Sequence, residues 1–404
     1  MNISDIFISL RNRNFALFFF GQFISRVGMW MQRTAIIWVV YTITHSAFMI
    51  GVTTFAEQFP SFLFSVRGGI IADKYNRYKV LMLTQILSAL QAVLLTVFAF
   101  AGNYNIALIL SLSVFLGIVN AYDVPVRQSM INEIIEIRED LPNAVALNSS
   151  LNTLARLVGP ALSGFVLGKF GASYCFLSNA ISFIAVIGAI AAMRLPEEEI
   201  IAIKTRTKNH FKEVLIYLKQ NSSIATAIYI AALSSFLVLP YITLVPVYAK
   251  DIFKGDATTF GWLNSALGAG AFGGSFYLAT LRNAGNLRKI LLLNTFLLGA
   301  SLLLFAYSHN LHLSLVFLIL IGFSSICQTS VIMTIVQTET DKKFRGRVMS
   351  FIAMAIFGML PLGSLLTGWL APIIGAALTL AIQGILAIII GIAFYKNLIA
   401  ASKN

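Results

Sequence analysis

Charged side chains are scarce in this sequence. Only 11% of its 404 residues are Asp, Glu, Lys or Arg, whereas a soluble globular protein has about 25%. Hydrophobic residues make up 58% of the chain, and its mean hydropathy is +0.83. This composition excludes an ordinary soluble domain and predicts a polytopic membrane protein.

Cysteine and histidine are also rare. The two cysteines, Cys175 and Cys327, stand far apart in apolar stretches, which argues against a disulfide framework or a metal site. The four histidines lie in or near predicted loops, and His309 and His312 lack a third residue with which to bind a metal. The sequence contains no phosphate-binding glycine loop and no nucleophile elbow. We therefore expect neither an enzyme nor a cofactor-dependent protein.

Positive charges outnumber negative ones, with a formal net charge of +13. They form no stripe or aromatic-interleaved patch, so we expect no nucleic-acid partner. They concentrate in alternate loops: with both termini in the cytoplasm, the inner segments hold 22 of the 29 Lys and Arg residues and the outer loops hold 3. Because Lys and Arg are retained on the cytoplasmic side, this bias predicts an even number of spans with both termini cytoplasmic.

Long apolar runs separated by short polar turns predict an all-α membrane protein with twelve transmembrane helices. The expected spans are roughly 14–43, 47–71, 80–101, 105–127, 143–168, 173–193, 223–249, 258–281, 289–307, 311–336, 347–371 and 375–395. No small-residue cleavage site follows the first apolar run, so we expect a retained first span and no signal peptide.

One long polar segment, 194–222, divides the chain near its middle, with Glu197, Glu198 and Glu199 followed by a Lys-rich amphipathic stretch. A pattern of residues recurs across it at an offset of about 204. The matching positions are Gly159, Gly164 and Gly171 with Gly363, Gly368 and Gly375, and Gly117 and Asp123 with Gly322 and Gln328. The repeat predicts two pseudo-symmetric six-helix bundles, 1–193 and 223–404, joined by a cytoplasmic linker. Such repeats are typical of transporters, which bind substrate at the interface between them.

The turn between the second and third predicted helices is short and rich in charge. It reads Gly69-Ile-Ile-Ala-Asp73-Lys74-Tyr-Asn76-Arg77-Tyr-Lys. It resembles the corresponding loop of the major facilitator superfamily, Gly-x-x-x-Asp-Arg-x-Gly-Arg followed by Arg or Lys. Lys74 replaces the usual Arg, and Asn76 replaces the usual Gly. Since Asn tolerates a positive φ angle better than most residues, we expect the turn to survive this change.

Other stretches are similar to the bacterial branch of the superfamily that includes the enterobactin exporter and related drug exporters. They are Trp30-Met-Gln-Arg33, Asp123-Val-Pro-Val-Arg127-Gln, Glu139-Asp-Leu-Pro-Asn-Ala-Val-Ala-Leu-Asn148 and Arg345-Gly-Arg-Val-Met-Ser350. Gly159, Pro160 and Gly164 resemble the antiporter motif, shifted by one residue and without its paired final glycines. The resemblance implies the twelve-helix fold of the superfamily and a place in the bacterial cytoplasmic (inner) membrane.

The resemblance also implies an inner gate. In the superfamily an acid at the position of Asp123 meets the loop arginine, here Arg77, while the loop aspartate, here Asp73, faces the start of the eleventh helix. A helix amino terminus carries about half a positive charge, which suits a carboxylate physically. We interpret Asp123 as a gate residue in preference to a proton site. The expected gating residues are Gly69, Asp73, Arg77, Asp123, Arg127, Gly159, Pro160 and Gly164.

Ionisable residues within spans are functional candidates, because a charge at the bilayer centre costs at least about 2.5 to 3.5 kcal/mol. Arg26 and Arg33 are two helical turns apart and share a face of the first helix. Arg33 and Glu57 are each 12 residues from the turn near His45, so we predict that they lie at equal depth and pair. The pair has two interpretations: a buried salt bridge that fixes the hairpin, or a proton-carrying Glu57 that substrate displaces from its partner.

Arg156 is a further central cation, either tied to a carbonyl or to Glu57, or in contact with substrate. Three arginines against one central carboxylate predict a positive cavity and an anionic or zwitterionic substrate. The second half has no clearly intramembrane charge, so coupling must reside in the first half. Including neutral candidates, the expected substrate and proton pathway comprises Arg26, Arg33, Glu57, Arg156, Gln32, Trp30, Asn120, Tyr241 and Gln328.

The sequence thus predicts a proton-coupled secondary transporter that exports small amphipathic or anionic compounds, a drug or a siderophore, by alternating access. An importer of an organic solute or iron chelate on the same fold is one alternative, and a non-transporting membrane sensor or assembly factor is another. The expected partners are a small-molecule substrate, protons and membrane lipid, and we expect a monomer.

Overall fold

The computed structural model describes residues 8–135, 137–194, 210–281, 287–341 and 343–400. These residues form helices and turns and no strand, which confirms the all-α prediction. Twelve long helices follow one another within them. They are α1 Arg13–Thr44, α2 Ala47–Lys74, α3 Arg77–Phe100, α4 Ile106–Ile134, α5 Leu141–Phe170, α6 Ala172–Ala191, α7 Ser222–Ile252, α8 Ala257–Thr280, α9 Leu287–Ala306, α10 Leu311–Glu339, α11 Arg345–Ile374 and α12 Ala376–Ala400.

Eight of these helices, α3, α4, α6, α7 and α9 to α12, are long and apolar enough to cross a membrane. The remaining four fall short on composition. Three of them, α1, α2 and α5, carry the internal charges Arg26, Arg33, Glu57 and Arg156, and α8 is rich in Gly, Ser and Thr. The largest error in the predicted spans is at α4, which continues beyond 127 to Ile134, because its last two turns carry polar side chains that hydropathy alone excludes.

Polar residues in the short turns begin several helices. Asn76 accepts a hydrogen bond from the Lys79 N–H (3.0 Å) at the start of α3. Its φ is −58°, so the expectation of a left-handed Asn76 was wrong and the residue acts as a helix cap instead. At α8 the Asp256 carboxylate accepts from the backbone N–H groups of Thr259 and Thr258 (3.0 and 2.9 Å). These bonds, that of Thr259 first, hold the pKa of Asp256 below its usual range.

By their contacts the described residues divide into two compact units, those within 1–42 and 56–204 and those within 43–55 and 205–404. In the first unit, apolar side chains of α1, α3, α4 and α6 form a buried core around Phe15, Leu81 and Met130. The second unit includes 43–55, which differs from the predicted boundary at 193. The reason is close packing, since a Cβ on Gly368 would lie 2.6 Å from the Ala47 carbonyl.

Of the predicted linker, residues 195–209 lie outside the described residues. Its final part forms a helix, His210–Gln220, which we name the linker helix. The Tyr217 ring stacks on Phe344 with centroids 4.5 Å apart, and its hydroxyl accepts from the Asp341 N–H (3.1 Å). Glu213 pairs with Arg347 at 2.6 Å. The linker helix is therefore fixed to the second unit.

The glycine repeat seen in the sequence is present in the packing of each unit. Gly171 and Gly375 follow α5 and α11 with φ of +92° and +89°, a region that favours glycine. A Cβ on Gly117 would collide with the carbonyl of Glu57, and one on Gly322 would collide with that of Leu267. Each bundle thus brings its fourth helix against the backbone of its second helix, which confirms the pseudo-symmetry.

The hydrogen-bonding of α7 is irregular along its second half. A π-helical turn at Ser234–Val238 is followed by a 3-10 stretch at Leu239–Leu244 that contains Pro240, and a second π-helical turn covers Tyr248–Ile252. Proline removes a backbone donor, and π-turns frequently mark functional sites. This irregular stretch positions Tyr241, one of the predicted pathway residues.

Candidate functional site

Arg33 and Glu57 form an ion pair in the first unit, with the Arg33 Nε atom 3.3 Å from Glu57 Oε2. The φ of His45 is +48° in the turn between α1 and α2, so the two helices run back along each other and bring the residues together as predicted. Their side chains remain 29% and 21% exposed. Both side chains of the pair are thus partly accessible to a solute or a proton.

Trp30 lies between two arginines. The Arg33 guanidinium is 5.3 Å from the centre of the Trp30 ring, and that of Arg156 is 5.8 Å from it. A Cβ on Gly159 would collide with Trp30, so glycine at this position of α5 lets α1 approach closely. The predicted residues Arg33, Glu57, Trp30 and Arg156 are therefore adjacent, and we name them the central cluster. Their charges sum to one excess positive charge.

Asp123 is buried, 2% exposed, in α4. Its Oδ1 atom accepts from Gln85 Nε2 (2.6 Å) and Thr84 Oγ1 (3.0 Å), and its Oδ2 atom pairs with Arg127 one turn along. Three donors, one of them a cation, therefore meet on this carboxylate. We name Asp123, Arg127, Thr84 and Gln85 the α4 cluster.

Arg26 lies within electrostatic reach of both Asp123 and Arg127. Its guanidinium donates to the Asn152 side chain on α5, and its Nε atom is buried with no hydrogen-bond partner among the described residues. Arg26 thus joins the α4 cluster, whereas its neighbour Arg33 on the same helix face joins the central cluster. The first unit therefore holds two separate polar clusters.

The predicted contact between Arg77 and Asp123 was wrong. Arg77 pairs with Glu133 in the last turn of α4 and donates to the Ala72 carbonyl (3.0 Å). Asp123 lies nearly three turns before Glu133 in α4, about 15 Å away along the helix axis. On α3 its partners Thr84 and Gln85 lie two turns after Arg77. The loop arginine therefore ties the α2–α3 turn to the end of α4. Asp73 is exposed, and its expected role at the eleventh helix stays a prediction.

Gln32 belongs to the packing of the first unit. Its side chain donates to Gln91 (3.0 Å) and accepts from Asn179 (2.9 Å), which joins α1, α3 and α6, and it is 1% exposed. This position favours a structural tie over contact with solute. Asn120 is half-buried on α4.

The gating glycines predicted from the resemblance differ in their surroundings. Gly159 and Pro160 are buried in α5, as is Gly164. A Cβ on Gly69 would meet nothing within 4 Å, so close packing does not require glycine there. Their roles in gating remain predictions.

In the second unit, the counterparts of the charged residues are neutral. Gln328 donates to Thr295 Oγ1 (2.9 Å) on α9. In the first unit the corresponding bond has the opposite direction, from Thr84 on α3 to Asp123. Tyr241 is 3% exposed. Among the described residues of this unit, the ion pairs involve Arg288 with Glu339 and Arg347 with Glu213, at helix ends. Among the described side chains of this unit, the charged residues of the membrane helices lie near the helix ends, as predicted.

Three relatives show what the chain is similar to. It is 28% identical over 385 residues to the staphyloferrin A transporter of Staphylococcus aureus, with 94% of each chain covered. It is 22% identical over 385 residues to macrolide efflux protein A of Streptococcus pyogenes, with 92% of this chain and 93% of the relative covered. It is 24% identical over 338 residues to the enterobactin exporter EntS of Shigella boydii, with 83% of this chain and 79% of the relative covered.

A solved structure, that of a D-xylose-proton symporter, matches with a TM-score of 0.73 and covers 94% of this chain and 97% of the symporter at 12% identity. Agreement at this identity shows the fold alone. The transmembrane secretion effector family matches residues 4–404. The family and these relatives are membrane transporters, which confirms that the chain is not an enzyme. The chain belongs to the transmembrane secretion effector family of the major facilitator superfamily, and it is a multi-pass membrane transporter of small molecules.

Proposed function

We propose that this transporter exports small amphipathic or anionic compounds, drugs or siderophores, in exchange for protons. The ion pair of Arg33 with Glu57 carries this proposal. Its carboxylate lies in a membrane-spanning helix and is partly accessible. An ionisable group within a span costs free energy, so its presence there makes it a candidate for function.

In the proposed cycle, Glu57 and an anionic solute compete for Arg33. When Glu57 is ionised, the two side chains are bonded at 3.3 Å. An anionic solute that binds Arg33 and Arg156 beside the Trp30 ring displaces the carboxylate. A carboxylate without its cation in a partly buried site takes up a proton more readily. Protonation of Glu57 and binding of solute are thereby linked. The alternating movement of the two bundles then exposes the solute and the proton to opposite sides of the membrane in turn.

The proposed substrate class follows from the charge balance. The central cluster has two arginines and one carboxylate, and the α4 cluster has Arg26 and Arg127 with Asp123. Each cluster therefore has one positive charge in excess, and an excess of one sign attracts solutes of the other sign. The names of the relatives, a staphyloferrin A transporter, a macrolide efflux protein and an enterobactin exporter, support export of siderophores or drugs.

The same proposal includes a monomer in the bacterial cytoplasmic membrane with both termini in the cytoplasm, and the Lys and Arg distribution supports that orientation. Asp73, Arg77 and Asp123, with Gly159, Pro160 and Gly164, then serve the inner gate, with Arg77 acting through Glu133.

Proton flux in proteoliposomes tests the proposal. Staphyloferrin A, enterobactin and a macrolide are added in turn while the internal pH is recorded. Proton movement opposite to the solute supports export. Movement in the same direction would replace the proposal with import of an organic solute or iron chelate, and no flux with any probe would favour a sensor or assembly factor.

A further inference from the structure

An open groove of about 370 Å³ runs along the surface of the first unit between α1 and α6. Seven of its eight lining residues are apolar, among them Leu17, Phe20 and Ile24 on α1 and Ala185 and Ala189 on α6. The eighth is Arg13, at the first residue of α1. The groove thus has an apolar body and one cationic end.

Small residues form the floor of the groove. A Cβ on Gly21 would lie 2.7 Å from that of Ala189 and 3.3 Å from Val186 Cα, so α1 and α6 are in close backbone contact there. Larger side chains of α1 stand beside this seam, and Phe20 and Ile24 are 56% and 48% exposed. In a membrane-spanning helix such exposed apolar side chains face acyl chains.

The length of the groove matches one leaflet. From Arg13 to Ile24 the helix rises about 16 Å, and half of a hydrocarbon core of about 30 Å is about 15 Å. The polar end therefore lies at the level of the phosphate groups when the apolar end reaches the middle of the bilayer.

Arg13 is the one arginine that lines the groove, and the backbone of Arg194 lies next to the residue that follows it. The Asn14 side chain donates to the Arg194 carbonyl (2.9 Å) and accepts from the Arg194 N–H (3.0 Å), which holds the segment after α6 beside the start of α1. Arg11, Arg13 and Arg194 are all exposed. Neither 8–24 nor 181–194 contains Asp or Glu, so the two stretches that carry these arginines supply no acid of their own.

We propose that this groove binds an anionic glycerophospholipid of the leaflet on the amino-terminal side, with one acyl chain along Leu17, Phe20 and Ile24 and the phosphate at Arg13 and Arg194. Basic residues at the end of a membrane span attract anionic headgroups. The small residues Ala185 and Ala189 leave room for the chain. The site is separate from the central cluster and does not depend on the proposed substrate.

Lipid retention tests this site. The full chain is reconstituted with phosphatidylcholine and a minor fraction of phosphatidylglycerol, transferred to detergent, and the retained lipids are counted by mass spectrometry. We expect phosphatidylglycerol to be enriched over its share of the mixture. Arg13→Gln should lower that enrichment about fivefold, the effect of one basic residue at the surface, and Ala185→Phe should reduce the retention of both lipids by filling the groove.

Arg67→Gln is the matched control, because Arg67 is also an exposed arginine in a helix of the first unit and lies outside the groove. It should leave the enrichment unchanged. Equal retention of the two lipids by the native chain would overturn the proposal, as would an Arg13→Gln variant as selective as Arg67→Gln. Loss of macrolide or siderophore binding in Ala185→Phe with unchanged lipid retention would also overturn it, because the occupant would then be the solute.

Discussion

Gly117 of α4 lies directly against the backbone carbonyl of Glu57 on α2. This close contact with Gly117 fixes the axial position and the rotation of α2, the helix that carries Glu57. In the second unit Gly322 holds the same relationship to Leu267. The two positions provide a matched pair of experiments within one chain.

Gly117→Ala and Gly322→Ala should each lower stability by about 1 to 3 kcal/mol, the usual cost of overpacking, because each new methyl group meets a carbonyl. Only Gly117→Ala should also impair proton-coupled transport, since only it moves Glu57 relative to Arg33. Thermal unfolding and transport in proteoliposomes measure the two effects. If Gly117→Ala and Gly322→Ala were equally destabilised and transported equally well, the position of Glu57 relative to Arg33 would not be required for coupling.

Glu57→Gln should abolish gradient-driven uptake into inverted vesicles while sparing substrate exchange, because an amide cannot carry the proton but leaves the cavity in place. Uptake should fall to the level of vesicles without the protein. Glu339→Gln is the control, since it removes a carboxylate from an ion pair with Arg288 at a helix end of the second unit.

A double variant separates coupling from a purely structural salt bridge. If the pair only fixes the hairpin of α1 and α2, then Arg33→Gln with Glu57→Gln restores both stability and concentrative transport. If Glu57 carries the proton, the double variant regains stability and remains uncoupled. Concentrative uptake by the single Glu57→Gln variant at the native rate would remove Glu57 from the proton pathway.

Asp123→Asn should destabilise the protein by about 3 to 5 kcal/mol, because it removes the buried anion of the half-buried cations Arg127 and Arg26. Combining it with Arg127→Gln should recover most of that loss. Thermal unfolding of the purified variants gives the comparison. Asp73→Asn is the control, since Asp73 is exposed and a surface change there should stay within about 0.5 kcal/mol. A full loss in the double variant would show that Asp123 acts through Arg26, Thr84 or Gln85 and not through Arg127.

Asp256 gives a pH dependence with a defined sign. Its backbone hydrogen bonds lower the pKa of the folded state, so its contribution to stability is fully present above the unfolded value of about 3.9 and is lost as the pH falls through the folded value. Asp256→Ala should cost about 1 kcal/mol at neutral pH through loss of the helix cap. Asp256→Asn keeps a capping side chain and cannot ionise.

The difference in unfolding temperature between the native chain and Asp256→Asn should therefore be constant above pH 5 and shrink in acid. Both proteins share every other titrating group, so the difference isolates this carboxylate. If the unfolding-temperature difference grew as the pH fell, the pKa of Asp256 would be raised by folding, which would contradict its role as a helix cap.

The sequence was sufficient for the contacts that depend on distance along the chain. Arg33 and Glu57 pair because each is 12 residues from a turn whose place was visible as a polar break. The contact of Arg77 with Asp123, which the resemblance implied, was wrong. It depends on the register of α3 against α4, and Glu133 near the end of α4 is the acid that Arg77 meets.

Sequence reasoning missed the neutral partners of the charged residues. Thr84 and Gln85 bind Asp123, and Asn152 binds Arg26. A signal was available on α3, where Thr84, Gln85, Ser88 and Gln91 recur at helical spacing in an otherwise apolar run and are all buried. A polar stripe on a membrane helix indicates the face that meets other polar groups. Asn152 had no such signal, since it is one of many polar residues in the first half of α5.

The second unit repeats the backbone contacts of the first, with Leu267 and Gln328 where the first has Glu57 and Asp123. Under the proposed mechanism, energy supply is confined to one copy of a duplicated scaffold. Substitutions in the second unit can then change substrate specificity without affecting Glu57, the proposed proton carrier. Diversification of such a lineage is expected to concentrate in α7 to α12.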